Sequence, residues 1–136
     1  MRVILDTNVI VAAVRSRSGA SAKLLEVLPS GAYSIALSAP LVLEYEEVML
    51  RELVPAFASL SDVDTVVRFL CEVCEKYNPG RGVGPKTIDP DDEFILELAV
   101  EARVDYVVTH NTRHMAAPGI SAITPGRFLE LLQRQP

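Results

Sequence analysis

The sequence predicts an α/β domain in which helices cover both faces of a parallel sheet. Short aliphatic runs such as Val3-Ile4-Leu5 alternate with helical stretches, as expected of strands that are buried on both faces. Apolar residues make up 49% of the chain and aromatic residues only 6%, so we expect an aliphatic interior. The length of 136 residues fits a single domain over residues 1–136.

The first half of the chain shows strands and helices separated by capping residues. Asn8 is expected to cap the first helix, and Ser38 the third, with Pro40 in its first turn. A break around Gly19 separates the first helix from the second. The predicted elements are a strand over 3–5, helices over 8–15 and 22–28, a strand over 33–37 and a helix over 38–53.

The second half follows the same alternation around one long loop. That loop holds three Gly and three Pro and is expected to contain a short edge strand near Thr87. Ser61 or Asp62 is expected to cap the helix before it. The predicted elements are a helix over 62–76, the loop over 78–90, a helix over 90–103, strands over 106–109 and 120–123, and a helix over 126–134.

Charge and hydropathy argue against a protein that binds polyanions through its overall charge and against a protein that spans a membrane. The net charge of −5 disfavours a general attraction to nucleic acid or to an anionic membrane, so a polyanion would need a local basic patch or a bound cation. The longest apolar run, Val9 to Val14, is far shorter than the ~18 residues of a membrane span. The first residues do not have the pattern of a signal peptide. We therefore expect a cytoplasmic protein that does not associate with membranes.

Two cysteines and two histidines raise the question of a zinc site. Cys71 and Cys74 form a CxxC pair, and His110 and His114 follow with HxxxH spacing. The 35 residues between the pairs exceed the linker of a compact zinc finger. Cys74 also belongs to an apolar stripe at helical spacing, which favours a buried structural cysteine.

Carboxylates occur where the strands of the predicted sheet end. Asp6 follows the first strand and is free to act there if Asn8 caps the helix. Glu44 borders the apolar face of the helix predicted over 38–53. Asp92 shares the inward face of the helix predicted over 90–103. Thr109 and Asn111 come after a later strand and are expected at the same edge of the sheet. Open α/β sheets bind ligands at this edge.

These side chains supply oxygen ligands for one site. Carboxylate and amide oxygens without Cys or His suit Mg²⁺ or Mn²⁺, which bind through a few carboxylates and phosphate oxygens. The chemistry that matches is metal-assisted hydrolysis of a phosphodiester bond. A bound cation would also let an acidic pocket attract the phosphate of RNA.

Four motifs in order resemble the PIN-domain family, and specifically the toxin components of toxin–antitoxin systems (VapC-like). Each motif is weakly specific alone, but together they extend over nearly the whole chain. The motifs are Val3-Ile4-Leu5-Asp6-Thr7-Asn8, Ser38-Ala39-Pro40-Leu41-Val42-Leu43-Glu44, Asp89-Pro90-Asp91-Asp92-Glu93-Phe94-Ile95 and Asp105-Tyr106-Val107-Val108-Thr109-His110-Asn111.

The resemblance implies a three-layer α/β/α sandwich around a parallel sheet of four or five strands. It also implies a Mg²⁺- or Mn²⁺-dependent endoribonuclease, a homodimer and a cognate antitoxin protein. The acidic residues of the family fall on Asp6, Glu44 and Asp92. Supporting hydrogen bonds would come from Thr7 or Asn8 and from Thr109.

One position departs from the family pattern. Asn111 stands where the family often has Asp, so the metal site carries one negative charge less and a second metal would bind more weakly. This departure leaves open a nuclease-inactive PIN module that binds RNA or a protein partner. A phosphoryl-transfer domain with Asp6 as nucleophile is disfavoured, because Asn8 occupies the place of its second acid. Arg15 and Arg113 are the basic residues expected to contact RNA.

Overall fold

Five parallel strands form one sheet in the computed structural model, which describes residues 1–79, 93–115 and 117–135. The strands are β1 (Arg2–Leu5), β2 (Ser34–Leu37), β3 (Glu75–Lys76), β4 (Tyr106–Val108) and β5 (Ala122–Ile123). Their spatial order is β3-β2-β1-β4-β5. The predicted α/β class and its parallel sheet are therefore confirmed, with five strands.

Within these described ranges, six α-helices connect and cover the strands. They are α1 (Thr7–Arg15), α2 (Ala20–Val27), α3 (Ala39–Leu53), α4 (Leu60–Val73), α5 (Glu93–Ala102) and α6 (Pro125–Arg134). The connections from β1 to β2 and from β2 to β3 run in one direction across the sheet, whereas the connection from β3 to β4 runs back. Crossovers between parallel strands are right-handed, so helices in connections that run in opposite directions lie on opposite faces of the sheet. The sheet and the helices on its two faces form three layers. None of the helices in the described ranges has the length and apolar character needed to cross a membrane.

The core is aliphatic, as the composition predicts. The central strand β1 pairs with β2 and β4 and is buried from Val3 onward. Helix α3 buries Leu41, Tyr45, Met49 and Leu53, which recur every four residues along one face. Fully buried side chains from the sheet and the helices fill the interior: Val3, Ile4, Leu5, Val9, Ile10, Leu24, Ile35, Leu41, Val107, Val108 and Phe128. Cys74 also packs in this core, as its apolar stripe predicts.

The structure corrects three local predictions. Asp6, not Asn8, caps α1, because its carboxylate accepts a hydrogen bond from the Thr7 N–H. Ser59 caps α4 through a reciprocal capping box with Asp62, so the helix begins earlier than predicted. The same helix ends at Val73, and β3 then pairs with β2 where a continued helix was predicted. The expected edge strand near Thr87 lies outside the described residues.

Arg2 joins several elements at the amino edge of the sheet. Its Nε lies 2.8 Å from Glu75 Oε1, and its Nη1 donates to the Ala102 carbonyl at 2.9 Å. The guanidinium also lies over the Tyr77 ring, 5.6 Å from its centroid. These contacts connect β1 to β3 and to the end of α5. The hydrogen bonds from Arg2 lower the pKa of Glu75.

Candidate active site

A cleft opens where the direction of the strand connections reverses. Strand β1 lies between β2 and β4. The chain passes from β1 to its neighbour β2, but it reaches β4 from β3, which lies at the edge of the sheet beyond β2. Open α/β sheets bind ligands at the carboxyl ends of the strands at such a point. The cleft here has a volume of ≈ 560 Å³. Its lining includes Asp6, Thr7, Asn8, Glu44, His110 and Asn111.

Asp6 lies at the junction of β1 and α1 and is 8% exposed. Its Oδ1 accepts from the Thr7 N–H at 2.8 Å. Its Oδ2 accepts from the Thr109 hydroxyl at 2.7 Å and from the Asn8 amide at 3.3 Å. Burial raises the pKa of Asp6, and the hydrogen bonds from Thr109 and Thr7 oppose that rise. Asp6 therefore caps the helix with one oxygen and faces β4 with the other.

Thr7 connects the two carboxylates of the cleft. Its backbone N–H donates to Asp6 and its hydroxyl donates to Glu44 Oε2. Glu44 is partly buried on α3 and lines the cleft, as its position beside the apolar face predicts. Asp6 and Glu44 are 38 positions apart in the chain, and one residue with two donors holds both of them in the same place.

Thr109 organises the side of the cleft that β4 contributes. Its side chain is fully buried, and its hydroxyl donates to Asp6. The same oxygen accepts from the Asn111 N–H at 3.0 Å and from the Asn8 amide at 3.4 Å. The His110 N–H donates to Asn8 Oδ1 at 3.3 Å. The residues after β4 are thereby fixed against those after β1.

Basic side chains are few around Asp6 in the part of the chain that the structure describes. No Lys or Arg there forms an ion pair with Asp6, and besides the hydrogen bonds from Thr109 and Thr7 the His110 side chain also lowers the pKa of Asp6. Arg15 is the one Lys or Arg among the described residues that line the cleft. Its guanidinium lies over the Phe57 ring, 5.1 Å from the centroid.

The structure brings together most of the predicted site residues. Asp6, Thr7, Asn8, Glu44, Thr109 and Asn111 all lie at this edge of the sheet. Asp92 lies outside the described residues, so its place in the site stays a prediction. Arg113 is exposed and is absent from the cleft lining, whereas Arg15 lines it. Within the described ranges, no group of three His, Cys, Asp or Glu side chains is placed to hold a metal ion.

Sequence reasoning missed Glu52, which also lines the cleft. Glu44, Val48 and Glu52 follow one another at four-residue intervals on α3, and all three line the cleft. That spacing was the signal that could have found Glu52, because residues four apart share a helix face. The cleft therefore has an acidic residue at each end of this row.

Comparison with protein families identifies the domain type. A family model described as PIN domain matches residues 2–113, which is most of the chain. The chain belongs to the PIN domain family. Among solved structures, this PIN domain resembles the crystal structure of VapBC2 from Rickettsia felis bound to a DNA fragment from their promoter, with a TM-score of 0.65 and 16% identity. The match covers 91% of this chain and 98% of that one. No curated protein matches the sequence.

Proposed function

We propose that this PIN domain is a Mg²⁺- or Mn²⁺-dependent endoribonuclease that hydrolyses phosphodiester bonds of RNA. PIN domains are generally nucleases, and the match to their family model includes β1, α3 and β4. The observation that carries the proposal is the pair Asp6 and Glu44, held together by Thr7 in a cleft at the carboxyl edge of the sheet. The catalytic acids of the proposal are Asp6, Glu44 and Asp92.

The donor set of this cleft fits a hard divalent cation. Carboxylate oxygens of Asp6 and Glu44 and the amide group of Asn111 border it, and such oxygens are the ligands that Mg²⁺ and Mn²⁺ prefer. Among the described residues, the groups that donate hydrogen bonds to Asp6 are the neutral Thr7 N–H, Asn8 amide and Thr109 hydroxyl. A nearly buried carboxylate without a cationic partner is unfavourable, and a divalent ion would remove that cost. Asp6 and Glu44 would hold the ion, with Asp92 and Asn111 as further ligands.

The residues of the chain orient the site before substrate arrives. Thr7 and Thr109 fix the carboxylates through hydrogen bonds, and the N-terminus of α1 favours negative charge at Asp6. When bound, Mg²⁺ or Mn²⁺ supplies an activated water and neutralises the charge that develops on the phosphate. Arg15 ends α1 about 13 Å from its start. Arg15 would therefore contact a phosphate other than the one that is cleaved.

We further propose that the chain is the toxin of a toxin–antitoxin pair. The support is the fold shared with VapBC2 of Rickettsia felis along nearly the whole of both chains. In this proposal the chain is one domain over residues 1–136, acts in the cytoplasm as a homodimer and is inhibited by a cognate antitoxin protein. Growth arrest on expression of the wild type, but not of Asp6→Asn, is the expected result in a bacterial host. Arrest by both variants alike would contradict the toxin proposal.

An RNA cleavage assay tests the nuclease proposal directly. Purified wild type is expected to cut single-stranded RNA internally when Mn²⁺ is added, and to stop when EDTA removes the ion. Asp6→Asn is expected to lose cleavage by a factor of about 10³ while it still binds the RNA. Cleavage that persists in EDTA would overturn the metal dependence, and equal cleavage by Asp6→Asn would overturn the site.

The second candidate function is a nuclease-inactive PIN module that binds RNA or a protein partner. The observation that favours it is Asn111, which borders the cleft where the family often has an acid. The same assay separates the two candidates. Binding of RNA by both wild type and Asp6→Asn, without cleavage by either, supports the inactive module. Restored cleavage in Asn111→Asp would then locate the defect at this position.

A further inference from the structure

A buried hydroxyl connects the two chain segments that carry the carboxylates. Tyr45 follows Glu44 on α3 and is 1% exposed. Its hydroxyl donates a hydrogen bond to the carbonyl of Leu5, the fully buried residue before Asp6. One hydrogen bond therefore joins the immediate neighbour of Glu44 to the immediate neighbour of Asp6.

The Leu5 carbonyl needs this donor because of where the sheet ladder ends. The Asp6 N–H donates to the Val108 carbonyl of β4 at 2.8 Å, so the Leu5 carbonyl points to the other side, toward β2. The registered pairs between β1 and β2 are Arg2 with Ser34 and Val3 with Ile35, within the part of the chain that the structure describes. A buried carbonyl without a partner is unfavourable, and the Tyr45 hydroxyl supplies the donor beyond those pairs.

We propose that Tyr45 is a positioning residue of the site, because its hydroxyl fixes α3 against the end of β1 and so sets the separation of Glu44 from Asp6. The inference rests on the proposed function, in which both carboxylates bind one ion. Ligand oxygens lie within about 2.1 Å of Mg²⁺ and tolerate little displacement. A site displaced by about 1 Å loses much of its function. The apolar contacts of α3 are less directional than this hydrogen bond, which fixes one point of the helix relative to the end of β1.

Tyr33 provides a matched control within the same chain. It is 3% exposed, and its hydroxyl donates to the carbonyl of Leu24 at 2.6 Å. Its ring packs edge-on against Phe128 with 5.3 Å between centroids, and it does not line the cleft. Tyr33→Phe therefore removes the same type of buried hydrogen bond, and neither Tyr33 nor its acceptor Leu24 lines the cleft.

The test measures Mn²⁺ binding to the full chain without RNA, by electron paramagnetic resonance, together with thermal unfolding. Tyr45→Phe and Tyr33→Phe are expected to lose similar thermal stability. Tyr45→Phe is expected to bind Mn²⁺ about 10-fold more weakly than wild type, and Tyr33→Phe within about twofold of wild type. Tyr45→p-aminophenylalanine keeps a donor at the same place and is expected to restore the affinity.

Each contrary outcome has its own meaning. Equal Mn²⁺ affinity of wild type and Tyr45→Phe overturns the positioning role and leaves the proposed function intact. Equal weakening by Tyr45→Phe and Tyr33→Phe also overturns it, because the effect would then be general destabilisation. If Tyr45→Phe does not fold, failure of the p-aminophenylalanine variant to bind overturns the role. A wild-type chain that binds no Mn²⁺ overturns the proposed metal site and this inference with it.

Discussion

Carboxylates at the two edges of the sheet lie in opposite surroundings, and their pKa values shift in opposite directions. At the amino edge, Glu75 is partly exposed and forms an ion pair with Arg2, which lowers the pKa of the carboxyl group. At the carboxyl edge, Asp6 is nearly buried and accepts hydrogen bonds from neutral donors, and burial raises its pKa. The same functional group is thus paired with an Arg at one end of the sheet, whereas at the other end it forms no ion pair with a Lys or Arg of the described residues.

In the proposed function, this difference separates a structural carboxylate from a catalytic one. The Arg2–Glu75 pair joins β1 to β3 and needs nothing from outside the chain. Asp6 is also fixed by hydrogen bonds, yet its negative charge is not compensated by an ion pair with any Lys or Arg of the described ranges. In the proposed function, a site that is ordered by hydrogen bonds but not neutralised by a Lys or Arg of the described residues is prepared for a cation.

Glu44→Gln is expected to reduce Mn²⁺-dependent RNA cleavage by about 10³-fold, because the amide removes one of the carboxylate charges that would hold the ion. Glu47→Gln is the matched control on the same helix. Glu47 is exposed and lies 3.8 Å from Arg51, so its loss is expected to change cleavage by less than about twofold. The measurement is the single-turnover rate with a labelled RNA. Similar losses in both variants would remove the distinction between Glu44 and the surface acids.

Thr109→Val is expected to weaken Mn²⁺ binding by about 10-fold, because Asp6 loses the 2.7 Å hydrogen bond that orients its Oδ2. Thr65→Val is the control, since its hydroxyl donates to the Ser61 carbonyl on an exposed helix turn. Calorimetric titration of the two variants with Mn²⁺ gives the comparison. Unchanged affinity in Thr109→Val would mean that the carboxyl edge does not depend on hydrogen bonds for its order.

Arg15→Gln is expected to raise the KM for RNA several-fold and to reduce the salt dependence of binding by about one unit of slope, with kcat nearly constant. Arg15 lies at the far end of α1 and is the one Lys or Arg among the described residues that line the cleft. Arg113→Gln is the control, because Arg113 is exposed and outside the cleft lining. A larger effect from Arg113 would place the RNA path along the segment after β4 instead.

Stability in the metal-free protein is expected to depend on pH with opposite signs at the two edges. The pKa of Glu75 is lowered, so its contribution is present above the unfolded value of about 4.3 and is lost as pH falls. The pKa of Asp6 is raised, so its contribution is present below the unfolded value of about 3.9 and is lost as pH rises through the folded value.

Thermal unfolding in EDTA across the acid range checks both signs. Relative to wild type, Asp6→Asn is expected to gain stability as pH rises, whereas Glu75→Gln is expected to lose it. The Glu75 effect is small, because a partly exposed pair contributes little. Parallel pH profiles of the two variants would contradict the contrast between the edges.

Much of the fold was predictable from local signals. The aliphatic run before Asp6 predicted β1, and Ser38 with Pro40 predicted the start of α3, since strong local preferences agree with the tertiary structure there. The strand β3 was not predicted because Glu75 and Lys76 are two polar residues with no strand pattern. Their pairing with β2 is a tertiary contact.

Several residues that line the cleft could be predicted from the sequence, but their hydrogen bonds could not. Asp6, Thr7 and Asn8 are all capable of capping a helix, and which of them does so depends on where β1 ends. The spacing of α3 predicted that Glu44 borders the apolar face of its helix. Nothing in the spacing could show that the Tyr45 hydroxyl reaches the Leu5 carbonyl, because that contact depends on how α3 packs against the sheet.

Whether Asp6 and Glu44 bind one ion is tested most directly by a crystal structure of the wild-type chain grown with Mn²⁺. Anomalous scattering is recorded at the manganese edge. The account predicts an anomalous peak in the cleft, with carboxylate oxygens of both Asp6 and Glu44 about 2.1 Å from the ion. The peak is expected to be absent in Asp6→Asn. A peak beside Glu75 at the other edge of the sheet, or an ion that contacts neither Asp6 nor Glu44, would contradict the account.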